Sequence, residues 1–418
     1  MNKWLRVIGI GEDGWEDLSA SARALLYESK IVLGGERHLR MLPEDWEGER
    51  IVWPSPIREA VTKIVAWRPD PAEKDWSGAA ALPVAIMASG DPLCYGIAAK
   101  LLRHIPIDEI WIKPALSTFT QICSRVGWSL PDVESLTIHG RPVEMLHPFV
   151  QPGAKLLVLS KGEESPKQAA DLLSARGFGK SKITVLEHLG GTKERQISGQ
   201  ADDWIHPEGA ALNAMAIECL PDAQANVICR IPGLPDEAFL QDGQLTKREI
   251  RSVTLSKLMP IVDHLLWDIG AGCGSVAIEW MRSSQRCQAI AIEKSAARLK
   301  LIEQNAFQLG VPMLQIVPGN APEVLADLPE PDAVFVGGGL STGNMLETCW
   351  NALKPGGRLV ANAVTLEGEQ KLLQWQNENV DAGGNLTRLS ISRAETIGKF
   401  QGWKTLRPVT QLAVIKCY

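Results

Sequence analysis

An apolar run, Leu265-Leu266-Trp267-Asp268-Ile269, breaks at Gly270-Ala271-Gly272-Cys273-Gly274 and resumes as Ser275-Val276-Ala277-Ile278-Glu279-Trp280. It reads as strand, glycine loop and helix, which commits this part of the chain to an α/β layer. Glycine at alternate positions lets the backbone turn sharply and brings main-chain N–H groups to a ligand with no Cβ in the way. The next strand, Ala289-Ile290-Ala291-Ile292, ends in Glu293, whose carboxylate can accept from both hydroxyls of a ribose. The pairing predicts a nucleoside cofactor; the bland alternative is a glycine-rich turn that holds nothing.

The spacing selects among nucleosides. A dinucleotide fingerprint, G-x-G-x-x-G, needs a third glycine where this chain has Ser275. Gly270, Gly272 and Gly274 follow D-x-G-x-G-x-G instead, with Asp268 placing negative charge beside the crevice. A cationic sulfonium with a free amino group suits that charge better than a pyrophosphate does. S-adenosylmethionine is therefore favoured over NAD, with Asp268, Gly270, Ala271, Gly272, Cys273, Gly274 and Glu293 around it.

With 418 residues, two domains are expected. Hydrophobic content of 45% and charged content of 22% are ordinary for a globular chain. No window approaches a membrane span and the eight cysteines show no C-x-x-C, so a cytoplasmic, metal-free protein with reduced thiols is expected. Residues 1–240 carry 25 Lys and Arg against 32 Asp and Glu, and residues 241–418 carry 18 against 17. A nucleic-acid binder would more often show a basic surplus, because phosphate neutralisation supplies most of its affinity. Turn formers between 219 and 243 mark a boundary, giving domains at 1–220 and 230–418. Pro69 to Gly78 reads as an exposed loop.

After Glu293 the α/β alternation continues to Arg358–Ala363, which predicts a doubly wound sheet whose loops at Gly270–Gly274, Glu293, Asn320-Ala321 and Gly337–Gly339 meet at one crevice. Upstream, Thr246-Lys247-Arg248-Glu249 has the form of a capping box, so Thr246 should cap a helix carrying Lys247, Arg248 and Arg251 in its first turn. Those cations suit an acidic substrate; a solvated helix end is the alternative. With Pro318-Gly319-Asn320-Ala321-Pro322-Glu323 and Leu353-Lys354-Pro355-Gly356-Gly357, these segments make residues 230–418 resemble the CbiT-type class I methyltransferases of corrin biosynthesis. The resemblance implies a Rossmann-like fold with Thr246, Gly270–Gly274, Glu293 and Ala321 at the cofactor.

In the N-terminal half, Gly9-Ile10-Gly11, the turn Gly90-Asp91-Pro92 after an apolar strand, Pro114-Ala115-Leu116-Ser117-Thr118-Phe119, His139-Gly140-Arg141 and Val185 to Gly191 make residues 4–220 resemble the tetrapyrrole methylases, CbiE branch. That implies two α/β subdomains clamping S-adenosylmethionine, with Gly90, Asp91, Ser117, Thr118, Leu189 and Ala214 at the cofactor. Asp91 and His139 are the candidate catalytic groups here. For Asp91, accepting N–H bonds within its own turn is an equal reading; for His139, so is a loop histidine satisfied by backbone. Glu187-His188 is not expected to act as a pair, since neighbours on a strand face opposite ways. Where the branch has a T-D-G turn, this chain has Ser160-Lys161-Gly162, which alters charge near the cleft.

The domain order resembles the fused corrin-ring methyltransferases, implying methylation of C5 and C15 of precorrin-6B, loss of CO2 from the ring C acetate, and a homo-oligomer. Arg248 and Arg251 would pair with substrate carboxylates. An RNA methyltransferase with an N-terminal binding module and a non-catalytic S-adenosylmethionine sensor are the rival readings, and the presence of cobalt in the substrate stays open.

Overall fold

The computed structural model describes residues 3–54, 57–69 and 83–417, so the loop expected at Pro69 to Gly78 lies outside the described residues beyond Pro69. The chain divides into two compact units, one of Met1–Val143 with Pro152–Ala225, the other of Glu144–Gln151 with Asn226–Tyr418.

The first unit holds two sheets. Strands β1 (Leu5–Ile10), β2 (Ile31–Gly34), β3 (Glu49–Val52), β4 (Val84–Ser89) and β5 (Ile110–Lys113) form a parallel sheet in the order β3-β2-β4-β1-β5. Both faces are covered, so β1 is apolar on both: Leu5 and Val7 join one core cluster, Ile8 and Ile10 the other. Gly9 is required where β1 passes the Gly90 turn, because a Cβ there would lie 2.0 Å from the Gly90 carbonyl oxygen. Strands β6 (Glu134–Thr137), β7 (Lys155–Leu159), β8 (Lys182–Glu187), β9 (Arg195–Gln200) and β10 (Asn213–Glu218) form the second sheet, order β6-β7-β10-β8-β9, antiparallel except for β6 on β7.

The second unit is one mixed sheet. Strands β11 (Leu265–Ile269), β12 (Gln288–Glu293), β13 (Gln315–Pro318), β14 (Ala333–Val336) and β15 (Arg358–Ala363) run parallel; β19 (Val409–Ile415) pairs antiparallel with β15 and β16 (Asn385–Leu389) antiparallel with β19, in the order β13-β12-β11-β14-β15-β19-β16. A separate hairpin, β17 (Ser392–Ile397) with β18 (Phe400–Thr405), projects between β16 and β19. Alternate residues of β11 enter opposite cores, Leu266 on one side and Trp267 with Ile269 on the other. The strand order reverses between β12-β11 and β14-β15, which opens a crevice above the carboxyl end of β11. The α/β expectation holds in both units.

Candidate functional site

The glycine loop sits at that crevice. Gly270, Gly272 and Gly274 have φ of +69°, +62° and +81°, the left-handed region that disfavours a side chain. A Cβ on Gly270 would lie 2.9 Å from the backbone nitrogen of Gly338, and one on Gly272 3.0 Å from the Gln244 carbonyl oxygen. The loop is thus wedged between the β14 loop and the segment leading into the helix Arg248–Leu258. Above it lies a cleft of about 710 Å³, lined among others by Thr246, Gly270, Ala271, Gly272, Glu293, Asn320, Ala321 and Gly337 to Gly339. The four expected loops do meet.

Glu293 is buried and its carboxylate is already oriented: Oε2 accepts from Gly272 N at 2.9 Å and Oε1 from Ser295 N at 2.9 Å. Each oxygen keeps a lone pair for a hydroxyl donor. Asp268 stands behind the loop, buried, with Oδ2 accepting from Ala277 N at 2.9 Å and Oδ1 without a hydrogen-bond partner. Burial, with a smaller push from Glu293, raises its carboxyl to about 7 against the pull of the Ala277 N–H. Glycines at left-handed φ and an oriented carboxylate fit the nucleoside of S-adenosylmethionine. Thr246, Gly270, Ala271, Gly272, Glu293, Asn320 and Ala321, expected at the cofactor, all line this cleft.

Several expectations are corrected. Asp268, Cys273 and Gly274 do not line the cleft; Asp268 is buried behind the loop, the Cys273 thiol is buried and pushed up to about 11 by desolvation, and Gly274 packs on Ile302. Thr246 is not the helix cap. The helix begins at Arg248 with Lys247 at the N-cap, and the Arg248 N–H is taken by Asp236 Oδ1 at 2.9 Å. Glu249, expected to complete the box, is held instead by Arg393 from β17, whose Nη2 lies 2.6 Å from it; that hydrogen bond keeps the Glu249 carboxyl below its usual range. Arg251 does not face the cleft. It is fully buried, donates to Glu279 at 2.6 Å, to Asp236 at 3.3 Å and to the Thr246 and Leu234 carbonyls, and stacks on Phe239. With its donors so committed it cannot pair with substrate. Arg248 is exposed and lies outside the cleft lining.

Of the three first-turn cations Lys247 alone lines the cleft, and Asn362, Leu406, Arg407 and Val409 line it unannounced by any sequence motif. Asn362 was legible as the one amide in apolar β15: it donates to Thr254 at 3.1 Å and accepts from Gln411 at 2.9 Å. Leu406 and Arg407 had no local signal, since only the fold returns them to the ends of the parallel strands.

In the first unit, Asp91 Oδ1 accepts from Leu93 N at 2.9 Å within its own turn. Gly90 has φ +55° and its carbonyl accepts from Ala115 N at 3.2 Å, which brings the Gly90 turn beside Ser117 and Thr118. Ser117 caps the helix Thr118–Val126 through Thr120 N at 3.1 Å. Leu189 packs on the core cluster that contains Ala214; Ala214 is itself buried in β10, so its side chain is a core group. His139 is exposed and its main-chain N–H is held by Thr137 Oγ1 at 3.1 Å. Lys161 is exposed, and Ser165 Oγ caps its N–H at 3.0 Å.

Glu187 and His188 do not work together: Glu187 binds Arg195 at 2.7 Å, whereas the His188 Nδ1 meets Glu12 at 3.1 Å. Glu12 also pairs with Arg37, which reaches Ser89 and His38. This cluster at the carboxyl ends of β1, β2, β4 and β8 had no sequence signal, because its members come from distant segments. Burial lowers His38 to about 4, with Arg37 adding to the shift. Among the described residues no His, Cys, Asp and Glu group is placed to hold a metal, and no helix is long and apolar enough to cross a membrane.

Family models match both units: tetrapyrrole (corrin/porphyrin) methylases over residues 5–204 and a precorrin methyltransferase domain over residues 237–416. The chain is 43% identical over 415 residues to a precorrin-6Y C(5,15)-methyltransferase [decarboxylating] of Sinorhizobium sp., covering 98% of this chain and 96% of that one. It is 37% identical over 414 residues to the protein of that name in Mycobacterium tuberculosis, covering 98% and 99%. The C-terminal domain of the Rhodobacter capsulatus precorrin-6Y C5,15-methyltransferase, a solved structure, is 43% identical, covering 45% of this chain and 100% of that one with a TM-score of 0.42. On full-length identity and two unlike methyltransferase domains in one chain, the protein belongs to the precorrin-6Y C(5,15)-methyltransferase [decarboxylating] family, whose methyl donor is S-adenosylmethionine.

Proposed function

We propose that the protein methylates C5 and C15 of a precorrin-6-stage tetrapyrrole and removes CO2 from its ring C acetate, with residues 1–220 serving C5 and residues 230–418 serving C15 and the decarboxylation. The observation that carries this reading is the joining of both domain types in one chain that matches its relatives end to end. S-adenosylmethionine, when bound, supplies an electrophilic methyl group. The protein's part is alignment and exclusion of water, which can account for several kcal/mol of barrier without a protein nucleophile. Glu293 and the Gly270–Gly272 backbone fix the cofactor end of the cleft, while Met345, Val364, Leu406 and Val409 make its far wall apolar. Such a wall accepts a macrocycle face and disfavours a naked carboxylate, which favours its loss as CO2.

The assignment to a cytoplasmic homo-oligomer belongs to the same proposal. The oligomer is supported by the hairpin β17–β18, where the cross-strand pair Ile397 and Phe400 is 65% and 77% exposed on one face and Trp403 is 78% exposed on the other, apolar surface suited to a second copy.

The test is mass spectrometry of precorrin-6B, with and without cobalt, after incubation with the protein and excess S-adenosylmethionine. Two added methyl groups with loss of CO2 are expected. Intact cofactor binding with no product would favour a sensor, and salt-sensitive RNA binding with RNA methylation would favour the RNA enzyme.

A further inference from the structure

Lys247, Lys294, Arg298 and Arg407 line the cleft of the second unit. Of these, Arg298 is neutralised by Asp242 at 2.8 Å, as outside the cleft Arg393 is by Glu249 at 2.6 Å and Lys354 by Asp332 at 3.1 Å. Among the described residues, Lys247, Lys294 and Arg407 have no acidic partner, and Lys294 directly follows Glu293 at the cofactor end.

Arg407 stands on the flank of the sheet away from Glu293, whereas Lys247 directly follows the cleft residue Thr246. Glu293 and Ala321 follow β12 and β13 on one flank of the sheet. Arg407 immediately precedes β19, which runs antiparallel to β15 and so starts at the edge where the parallel strands finish. Lys247 is the N-cap of the helix Arg248–Leu258, which packs on β14 and β15. Both are held firmly. Arg393 on β17 grips Glu249 and Asp236, and Asp236 also caps Arg248 N, tying the hairpin that leads to Arg407 to the helix turn that carries Lys247.

We propose that Lys247 and Arg407 bind the carboxylate side chains of the tetrapyrrole at the β15–β19 end of this cleft and so set which edge of the macrocycle enters. This rests on the function proposed above. Uncompensated cations on a rigid mount beside an apolar wall match a flat substrate with an anionic rim: the wall takes the face, the cations take the rim. The guanidinium fork of Arg407 can hold one carboxylate bidentately, whereas Lys247 acts as a point charge.

The experiment compares full-length Lys247→Gln, Arg407→Gln, the double variant and the conservative Lys247→Arg. KM and kcat are read from CO2 release with precorrin-6B, and the Kd of S-adenosylhomocysteine from calorimetry. Each Gln variant is expected to raise KM about tenfold and the double variant about 100-fold, with kcat changed less than about threefold. The S-adenosylhomocysteine Kd should stay within about twofold, and Lys247→Arg should restore KM. Active wild type with unchanged KM in both single variants overturns the assignment. So does an S-adenosylhomocysteine Kd that weakens in step with KM, because the cations would then serve the cofactor carboxylate. Wild type that neither methylates nor decarboxylates overturns the proposed function itself, and this inference with it.

Discussion

Arg251 donates its Nε–H to Glu279 Oε1 at 2.6 Å, with neither side chain reaching solvent. Glu279 also accepts from Gly233 N at 2.6 Å and Leu234 N at 3.1 Å, so the pair fastens the entry segment of the second unit to the helix Ser275–Ser283 below the glycine loop.

Arg251→Ala leaves the Glu279 carboxylate buried without its cation, while Asp236 keeps Arg393 at 3.0 Å. We predict a loss of about 3–5 kcal/mol in the stability of this unit, seen as an earlier transition in urea. An unchanged midpoint together with a raised substrate KM would return Arg251 to the substrate role it was first given.

Gly272→Ala and Glu293→Gln should both weaken S-adenosylhomocysteine. The alanine forces a side chain into left-handed backbone 3.0 Å from the Gln244 oxygen, at about 1–2 kcal/mol. The glutamine turns one acceptor that now faces a backbone N–H into a donor. Calorimetry should give a Kd at least about tenfold weaker for each; retention of wild-type affinity would place the ribose elsewhere.

Asp268 makes stability depend on pH. Its folded pKa, about 7, lies above the ordinary 3.8, so the folded chain holds this proton more tightly than the unfolded one. The stabilisation is fully present below about pH 4 and lost as pH rises through about 7, on the order of 1 kcal/mol per unit in between. Asp268→Asn should remove that component, so the wild-type-minus-variant stability difference between pH 5 and 8 in urea titrations tests it. A variant that keeps the wild-type slope would rule out Asp268 as its source.

Asp91 divides a turn role from a catalytic one. Because its Oδ1 accepts from Leu93 N, Asp91→Asn keeps the acceptor and should keep C5 methylation within about threefold, whereas Asp91→Ala frees that N–H and should lower it about tenfold. A collapse of C5 methylation in the asparagine variant, with C15 methylation intact, would show that the carboxylate charge itself is used.

Legibility followed sequence distance. The strand–loop–helix at Leu265 to Trp280 was readable because its glycines, the Asp268 before them and the apolar strand are contiguous, and each obeys local backbone rules. The capping box failed for the opposite reason. Thr246 and Glu249 have the right spacing, but Asp236 and Arg393, 10 residues before and 147 after Thr246 in the chain, outcompete them for the helix end. The hairpin β17–β18 went unread because it is exposed on nearly every residue and shows no apolar alternation.

The sequence alone determined the two α/β domain types, the cofactor class and the loops that would hold it, because backbone freedom at glycine and apolar strand runs act over a few residues. Only the tertiary structure decided which charged side chains are spent inside and which face the cleft. Arg251 and Lys247 stand four residues apart on one helix start, yet burial against Glu279 commits the first to the core, and the return of β19 beside β15 brings Arg407 to the cleft that the second lines. That choice depends on which distant carboxylates the fold brings near, and local sequence carries no record of it.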